Sequence, residues 1–189
     1  MTDQEFFTIH HALNINVEPL PAEFTLPSQM DFEAEIPTPF VVASEFSQLD
    51  QLNDAARLEL KHSDFKHVIQ LLETQNSKLN LLLSFMLSQQ DDPTLRTTTT
   101  TFGASQLTYR SNTRLALGAQ LRLKLFIEHP AAAIYCYGQV IGCDDEQSPA
   151  IITVKYTLLR DNDQDLLIKA ALYCQQKLLR QRSLDRNKS

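Results

Sequence analysis

The stretch that decides the architecture of this 189-residue chain is Phe65–Met86, FKHVIQLLETQNSKLNLLLSFM. It lies within a longer segment, Phe40–Asp92, that contains neither glycine nor proline. Alternating steps of three and four residues define a seam in which every position but one is apolar: Phe65, Val68, Leu72, Gln75, Leu79, Leu82 and Met86. This spacing is typical of coiled-coil helices. It predicts one long helix whose apolar edge packs on its own domain or on a second copy of the chain.

The seam contains one polar residue, Gln75, and two interpretations of it stay open. A polar residue at an inward position can set the register and the number of helices in a bundle. Gln75 is equally explained as a tolerated polar residue at a partly exposed position. Two helices are predicted here, over about Ser47–Lys61 and about Ser63–Gln90, with Ser63 as the N-cap of the second. The second helix ends before Pro93, and the two helices are either separate or continuous.

Residues 1–45 contain five prolines and five phenylalanines. Proline at this density excludes long helices, and so many aromatic rings do not suit a solvated tail. We expect an extended arm with short strands that packs on the domain through its rings, with Phe40–Val42 as the best strand candidate. The chain is thereby divided into this arm (1–45), a helical oligomerisation segment (46–92) and a C-terminal domain (93–189).

After Pro93 the pattern changes to short strands separated by turns. The predicted strands are Arg96–Thr101 at a sheet edge, Gln106–Arg110, Leu121–Ile127, Ile134–Ile141 and Ile151–Leu159. A helix over about Asn162–Arg182 follows, and it can cover the open end of a small barrel. The predicted fold class is α+β: a small antiparallel β-barrel with a long inserted coiled-coil-type helix and a C-terminal helix.

The net charge of −6 is distributed unevenly along the chain. Residues 1–60 hold eleven acidic side chains and a single base, Arg57, so this segment carries −10 and the remainder carries +4. The overall sign disfavours DNA as a partner. A basic cluster near the end is explained as favourable charge at a helix C-terminus with a solvated tail: Lys177, Arg180, Arg182, Arg186 and Lys188.

No residue pattern in the chain predicts catalysis, a cofactor or a metal site. Four glycines leave no phosphate-binding loop. Cys136, Cys143 and Cys174 lack metal-ligand spacing and are interpreted as small buried thiols. No apolar run is long enough to span a membrane, and residues 1–7 lack the basic start and apolar core of a signal peptide. We therefore expect a cytoplasmic protein that is not an enzyme.

Five segments of the second half follow one another in a recognisable order: Gln106–Tyr109, Gly118 ahead of Leu121–Leu125, Gly138–Ile141, Thr153–Tyr156 and Arg160–Ile168. In this order residues 95–182 resemble a PilZ domain. The inserted helix around Ser77–Leu83 is also similar to the atypical, tetrameric PilZ group, in which long heptad helices build a four-chain assembly. The resemblance implies a homo-oligomer, a tetramer by analogy, that is joined through the seam from Phe65 to Met86.

The resemblance also implies a link to the bacterial messenger cyclic di-GMP, which PilZ domains bind through two motifs. The first, RxxxR, precedes the barrel, whereas Arg110–Arg114 and Arg182–Arg186 both come too late in this chain. The nearest earlier arginine is Arg96. The second motif is [D/N]xSxxG, and an alignment on Leu107 puts three residues of other types at its defining positions: Thr101, Gly103 and Gln106.

Two functions follow from this comparison of motifs. The first is a non-enzymatic signalling protein that acts as an oligomeric interaction module, with degenerate nucleotide motifs and barrel strands presented to a protein partner. The alternative is a genuine cyclic di-GMP receptor that binds the nucleotide through an altered site.

Overall fold

The computed structural model describes residues 7–61, 65–128, 131–144 and 148–186. The strands in these ranges are β1 (Thr8–His10), β2 (Asn14–Pro19), β3 (Arg96–Gly103), β4 (Gln106–Ser111), β5 (Gln120–Ile127), β6 (Ala132–Asp144) and β7 (Ala150–Leu158). The helices are α1 (Gln29–Glu35), α2 (Thr38–Lys61), α3 (Lys66–Ser88) and α4 (Asp161–Arg186).

Six strands close into an antiparallel barrel in the order β3-β2-β5-β6-β7-β4, with β4 pairing back onto β3. The short strand β1 adds to β3 beside β2. In β5 the buried residues Leu121, Leu123, Leu125 and Ile127 alternate with partly exposed ones. Since side chains of a strand point alternately to its two faces, this pattern directs one apolar row into the barrel. The predicted α+β fold is confirmed.

The barrel interior is the first of two apolar cores. It is filled from the strands, for example by Leu107 and Val154, which are fully buried. Helix α4 covers one end of the barrel through Leu166, Leu167 and Ala170. The predicted C-terminal helix is thus present, and its first half is the lid of the barrel.

The second core lies on the outer face of β6. Phe32 of α1, Phe40 of α2 and Leu83 of α3 pack there against Tyr135 and Tyr137. The ring centroids of Phe40 and Tyr135 are 6.1 Å apart and those of Phe32 and Tyr137 are 6.0 Å apart, the usual range for aromatic pairs. Because the alternate residues of β6 face the barrel interior, both faces of its first half are buried, and Ala132–Tyr137 is a continuous apolar run.

The predicted strand at Phe40–Val42 is wrong, because these residues lie in α2. Pro39 stands in the first turn of this helix, where a missing backbone N–H breaks no helical hydrogen bond. Phe40 and Ala43 are three residues apart and both fully buried in the second core. A helix puts residues at this spacing on one face, whereas a strand would point them apart.

The predicted edge position of Arg96–Thr101 is also wrong. This segment belongs to β3, which pairs with β1 and β2 along one side and with β4 along the other. The partners β1 and β2 come from the first twenty residues, whose short strands were not located in the proline-rich sequence. Their pairing with β3 converts a predicted edge strand into an interior one.

Helices α2 and α3 lie side by side and are not one continuous helix. Ala56 and Leu60 of α2 line the same groove as Leu72 and Leu79 of α3. At 1.5 Å per residue α3 is roughly 35 Å long. The N-cap predicted for it, Ser63, lies outside the described residues.

Candidate functional sites

The most extensive candidate site is one side of α3. Five seam residues have large exposed fractions: Phe65 59%, Val68 46%, Leu72 54%, Leu79 47% and Leu82 66%. Gln75 between them is also exposed. Met86 differs from the others, since it is partly buried against the second core. The described part of the chain therefore leaves most of the seam surface exposed, although Leu72 and Leu79 border the groove beside α2 and Met86 is partly buried.

Two further apolar residues widen this surface. Leu71 and Phe85 are 60% and 67% exposed, and each precedes a seam residue by one position. An apolar residue at this place in the heptad broadens the stripe beyond the narrow seam of a two-stranded coiled coil. The alternating spacing of three and four residues that defines the seam does not include Leu71 and Phe85, because these residues lie beside the seam. We call the seven exposed residues the α3 stripe: Phe65, Val68, Leu71, Leu72, Leu79, Leu82 and Phe85.

The C-terminal end of α3 is fixed to the barrel by polar contacts. Asn16 of β2 is only 2% exposed, and its Nδ2 donates to Asp91 Oδ1 at 2.7 Å and to the Asp92 carbonyl at 3.1 Å. Its Oδ1 accepts from the Asp92 backbone N–H at 2.8 Å. From β5, Lys124 Nζ donates to the Gln90 carbonyl at 3.1 Å. The helix therefore leaves the barrel from a defined anchor.

Arg96, which the motif comparison predicted as a nucleotide contact, belongs to the same anchor around Asp91. Its Nε lies 2.7 Å from Asp91 Oδ2. Arg96 begins β3 and Gly103 ends it, so about 23 Å of extended chain separates them. The structure thus places Arg96 far from the other residues nominated with it.

The other three nominated residues lie around the β3–β4 hairpin. Thr101 Oγ1 is 2.7 Å from Thr108 Oγ1 on β4. Gln106 opens β4 opposite Lys155 of β7. Gly103 pairs with Thr8 of β1, and a Cβ atom on it would overlap the carbonyl oxygen of Phe7. In this structure the close approach of β1 accounts for the glycine.

A buried ion pair lies at the start of α4, and a hydrogen bond from Ser44 connects it to α2. The Asp163 side chain is fully buried, and it accepts from Arg160 Nε at 2.8 Å and from Arg160 Nη2 at 3.0 Å. Ser44 of α2 also hydrogen-bonds to it. Burial raises the pKa of Asp163, and the guanidinium of Arg160 opposes this rise. Arg160 fixes the first turn of α4 and Ser44 ties that turn to α2, so the pair is a structural one.

Two further kinds of site, for metal ions and for membranes, were considered from the sequence. No group of three or more His, Cys, Asp or Glu residues in the described ranges is arranged to hold a metal ion. Among the helices of those ranges, none is both long and apolar enough to cross a membrane.

No family model matches the sequence, and no curated protein is significantly similar to it. Among solved structures, a tetrameric PilZ-domain protein of Xanthomonas campestris, described as self-assembled via an unusual helical bundle, superposes with a TM-score of 0.57. The two sequences are 10% identical, and the match covers 93% of this chain and 92% of that chain. The chain has the PilZ fold. The resemblance stated from the sequence is confirmed at this level.

A second match among solved structures is the inhibitor of motility MotI/DgrA of Bacillus subtilis. It matches with a TM-score of 0.47 and 12% identity over 96% of this chain. The present chain spans about half of that protein, 54% of its length.

Proposed function

We propose that this chain is a non-enzymatic regulatory protein of the PilZ type, in which several copies assemble through α3 and present their barrels to a protein partner. The observation on which the proposal rests is the α3 stripe. Exposed apolar surfaces of this extent mark interaction sites in soluble proteins. The assembly of the Xanthomonas PilZ protein via a helical bundle supports a tetramer as the form taken.

The energetics favour such an assembly. Removing a large apolar side chain from water contributes about 1.5–3 kcal/mol, and each copy would bring seven of them. The anchor at Asn16 and Asp91 fixes α3 on the barrel before assembly, so little ordering of this helix opposes association. Because Leu71 and Phe85 broaden the stripe along one side of the seam, it suits a bundle of more than two helices.

The assembly is tested by replacing Leu72 and Leu79 with Asp. Two carboxylates in the stripe make its burial unfavourable, so the mass in light scattering should fall to that of a single chain, 21.5 kDa. Ser77→Asp with Ser84→Asp is the matched control: both serines are exposed on the same helix, seven positions apart as Leu72 and Leu79 are, but outside the stripe, and this double variant should keep the parental mass. A double variant that keeps the parental mass would exclude α3 as the assembly element.

We place this module in cyclic di-GMP-related signalling in the cytoplasm, with the standard nucleotide grip absent. The dispersed positions of Arg96 and Gly103 support this part of the proposal. Calorimetric titration of the chain with cyclic di-GMP should accordingly give no saturable heat. Saturable binding would instead support a genuine receptor with an altered site.

A further inference from the structure

A cleft crosses the end of the barrel between the last turns of α3 and the middle of α4. One part, beside α3, has a volume of about 350 Å³, and the other, beside α4, about 140 Å³. Both parts are lined by Asn14, Phe126, Ile127 and Glu128, so they adjoin at these residues. Its size lies in the range of small-molecule sites.

The floor of the cleft is apolar over most of its length. Phe126, which is partly exposed, provides the accessible apolar surface in the middle, and the closely packed Ile127, Leu87 and Ala132 lie around it. Ile127, Leu87 and Ala132 are buried residues of the two cores, so their positions are fixed by packing. A floor of this kind accepts the apolar body of a ligand without rearrangement.

Two opposite charges face this cleft without meeting each other. Lys177 of α4 lies at the narrow end and Glu128 lies where the two parts join. Both are exposed, and neither forms an ion pair with another described residue. At the far end, Asp91 is already paired with Arg96. His11 lies beside Lys177 and adds a second donor there.

From this arrangement we infer that the cleft binds a small zwitterion with an apolar body, such as an amino acid with a large apolar side chain. The carboxylate contacts Lys177, the ammonium group contacts Glu128, and the side chain lies on Phe126. A simple anion would meet the repulsion of Glu128, and a simple cation that of Lys177. A molecule with both charges satisfies both residues at once.

Cys174 supplies a reporter for occupancy, since it lines the narrow part of the cleft and is 9% exposed. Burial raises the pKa of this thiol, while the nearby ammonium of Lys177 lowers it. In a Cys143→Ser background, alkylation reports on Cys174, because Cys136 is fully buried. L-Phenylalanine should slow this alkylation in a saturable manner, and calorimetry on the full chain should give the same dissociation constant.

The charges are tested with single variants of exposed residues, whose fold is checked by circular dichroism. Lys177→Glu and Glu128→Gln should each raise the dissociation constant for phenylalanine about tenfold or more. Arg180→Glu is the matched control, with the same change of charge on the same helix outside the cleft, and it should leave binding unchanged.

Two analogues test the zwitterion itself. 3-Phenylpropionate lacks the ammonium group and phenethylamine lacks the carboxylate, so both should bind at least tenfold more weakly than phenylalanine. Absence of saturable binding at millimolar phenylalanine would overturn the inference. So would equal binding of either analogue, or a loss in Arg180→Glu as large as that in Lys177→Glu.

Discussion

At the scale of single residues, Gly103 shows how a position in a degenerate motif has a structural explanation. Its missing side chain lets β1 approach β3. Gly103→Ala should lower the free energy of unfolding by about 1–3 kcal/mol, because the added methyl group forces β1 and β3 apart. Gly142→Ala is the control, since a Cβ there would lie an ordinary 3.4 Å from Thr153. Urea denaturation that gives the two variants equal stability would contradict this explanation.

The buried pair of Arg160 and Asp163 makes a second prediction, which depends on pH. Arg160→Met leaves the Asp163 carboxylate buried without its cation and should lower the free energy of unfolding by about 3–5 kcal/mol near neutral pH. Burial already raises the pKa of Asp163 above 3.8, and loss of the guanidinium raises it further.

The sign of the pH dependence follows from that raised pKa. The folded state then binds a proton more tightly than the unfolded state, so stability declines as pH rises from about 3.8 through the folded-state pKa. This decline is larger in Arg160→Met, because the pKa of Asp163 is higher there. The difference in free energy of unfolding between variant and parent should therefore narrow as the pH is lowered towards 4. Urea denaturation at several pH values measures this difference. A difference independent of pH would contradict the role of Arg160 as the cation that compensates the buried Asp163 carboxylate.

At the scale of elements, α3 has two faces with separate tasks. Leu83 and Leu87 are buried against the barrel, whereas the α3 stripe is exposed. Leu83→Ala should lower the free energy of unfolding by about 2–5 kcal/mol by opening a cavity in the second core. It should leave the mass in light scattering unchanged, unlike Leu72→Asp with Leu79→Asp. If Leu83→Ala lowered the mass in light scattering without lowering the free energy of unfolding, the separation of the two faces would be contradicted.

The elements also differ in how far the sequence predicts them. The periodicity of α3 is a local signal, repeated over six turns, and it located both the helix and most of the stripe. By contrast, Phe40 is helical because it fills a site beside Tyr135, a residue 95 positions later. Propensity alone favours a strand at Phe40–Val42, and tertiary packing overrides it.

At the scale of the whole molecule, the sequence predicted the barrel but not the strand through which it closes. Closure needs β2, which sits between β3 and β5 and comes from a segment interpreted as an arm. The cleft could not be predicted from the sequence either, because its lining comes from β2, β5, α3 and α4 together. Neither Lys177 nor Glu128 has a sequence pattern that pairs it with the other.

Strand β6 has one more consequence. Ile134 and Cys136 point into the barrel, while Tyr135 and Tyr137 point towards the helices. Neighbouring residues of this one strand therefore belong to different cores. The two cores share a single partition, and insertion or deletion of one residue in β6 would exchange the side chains that each core receives.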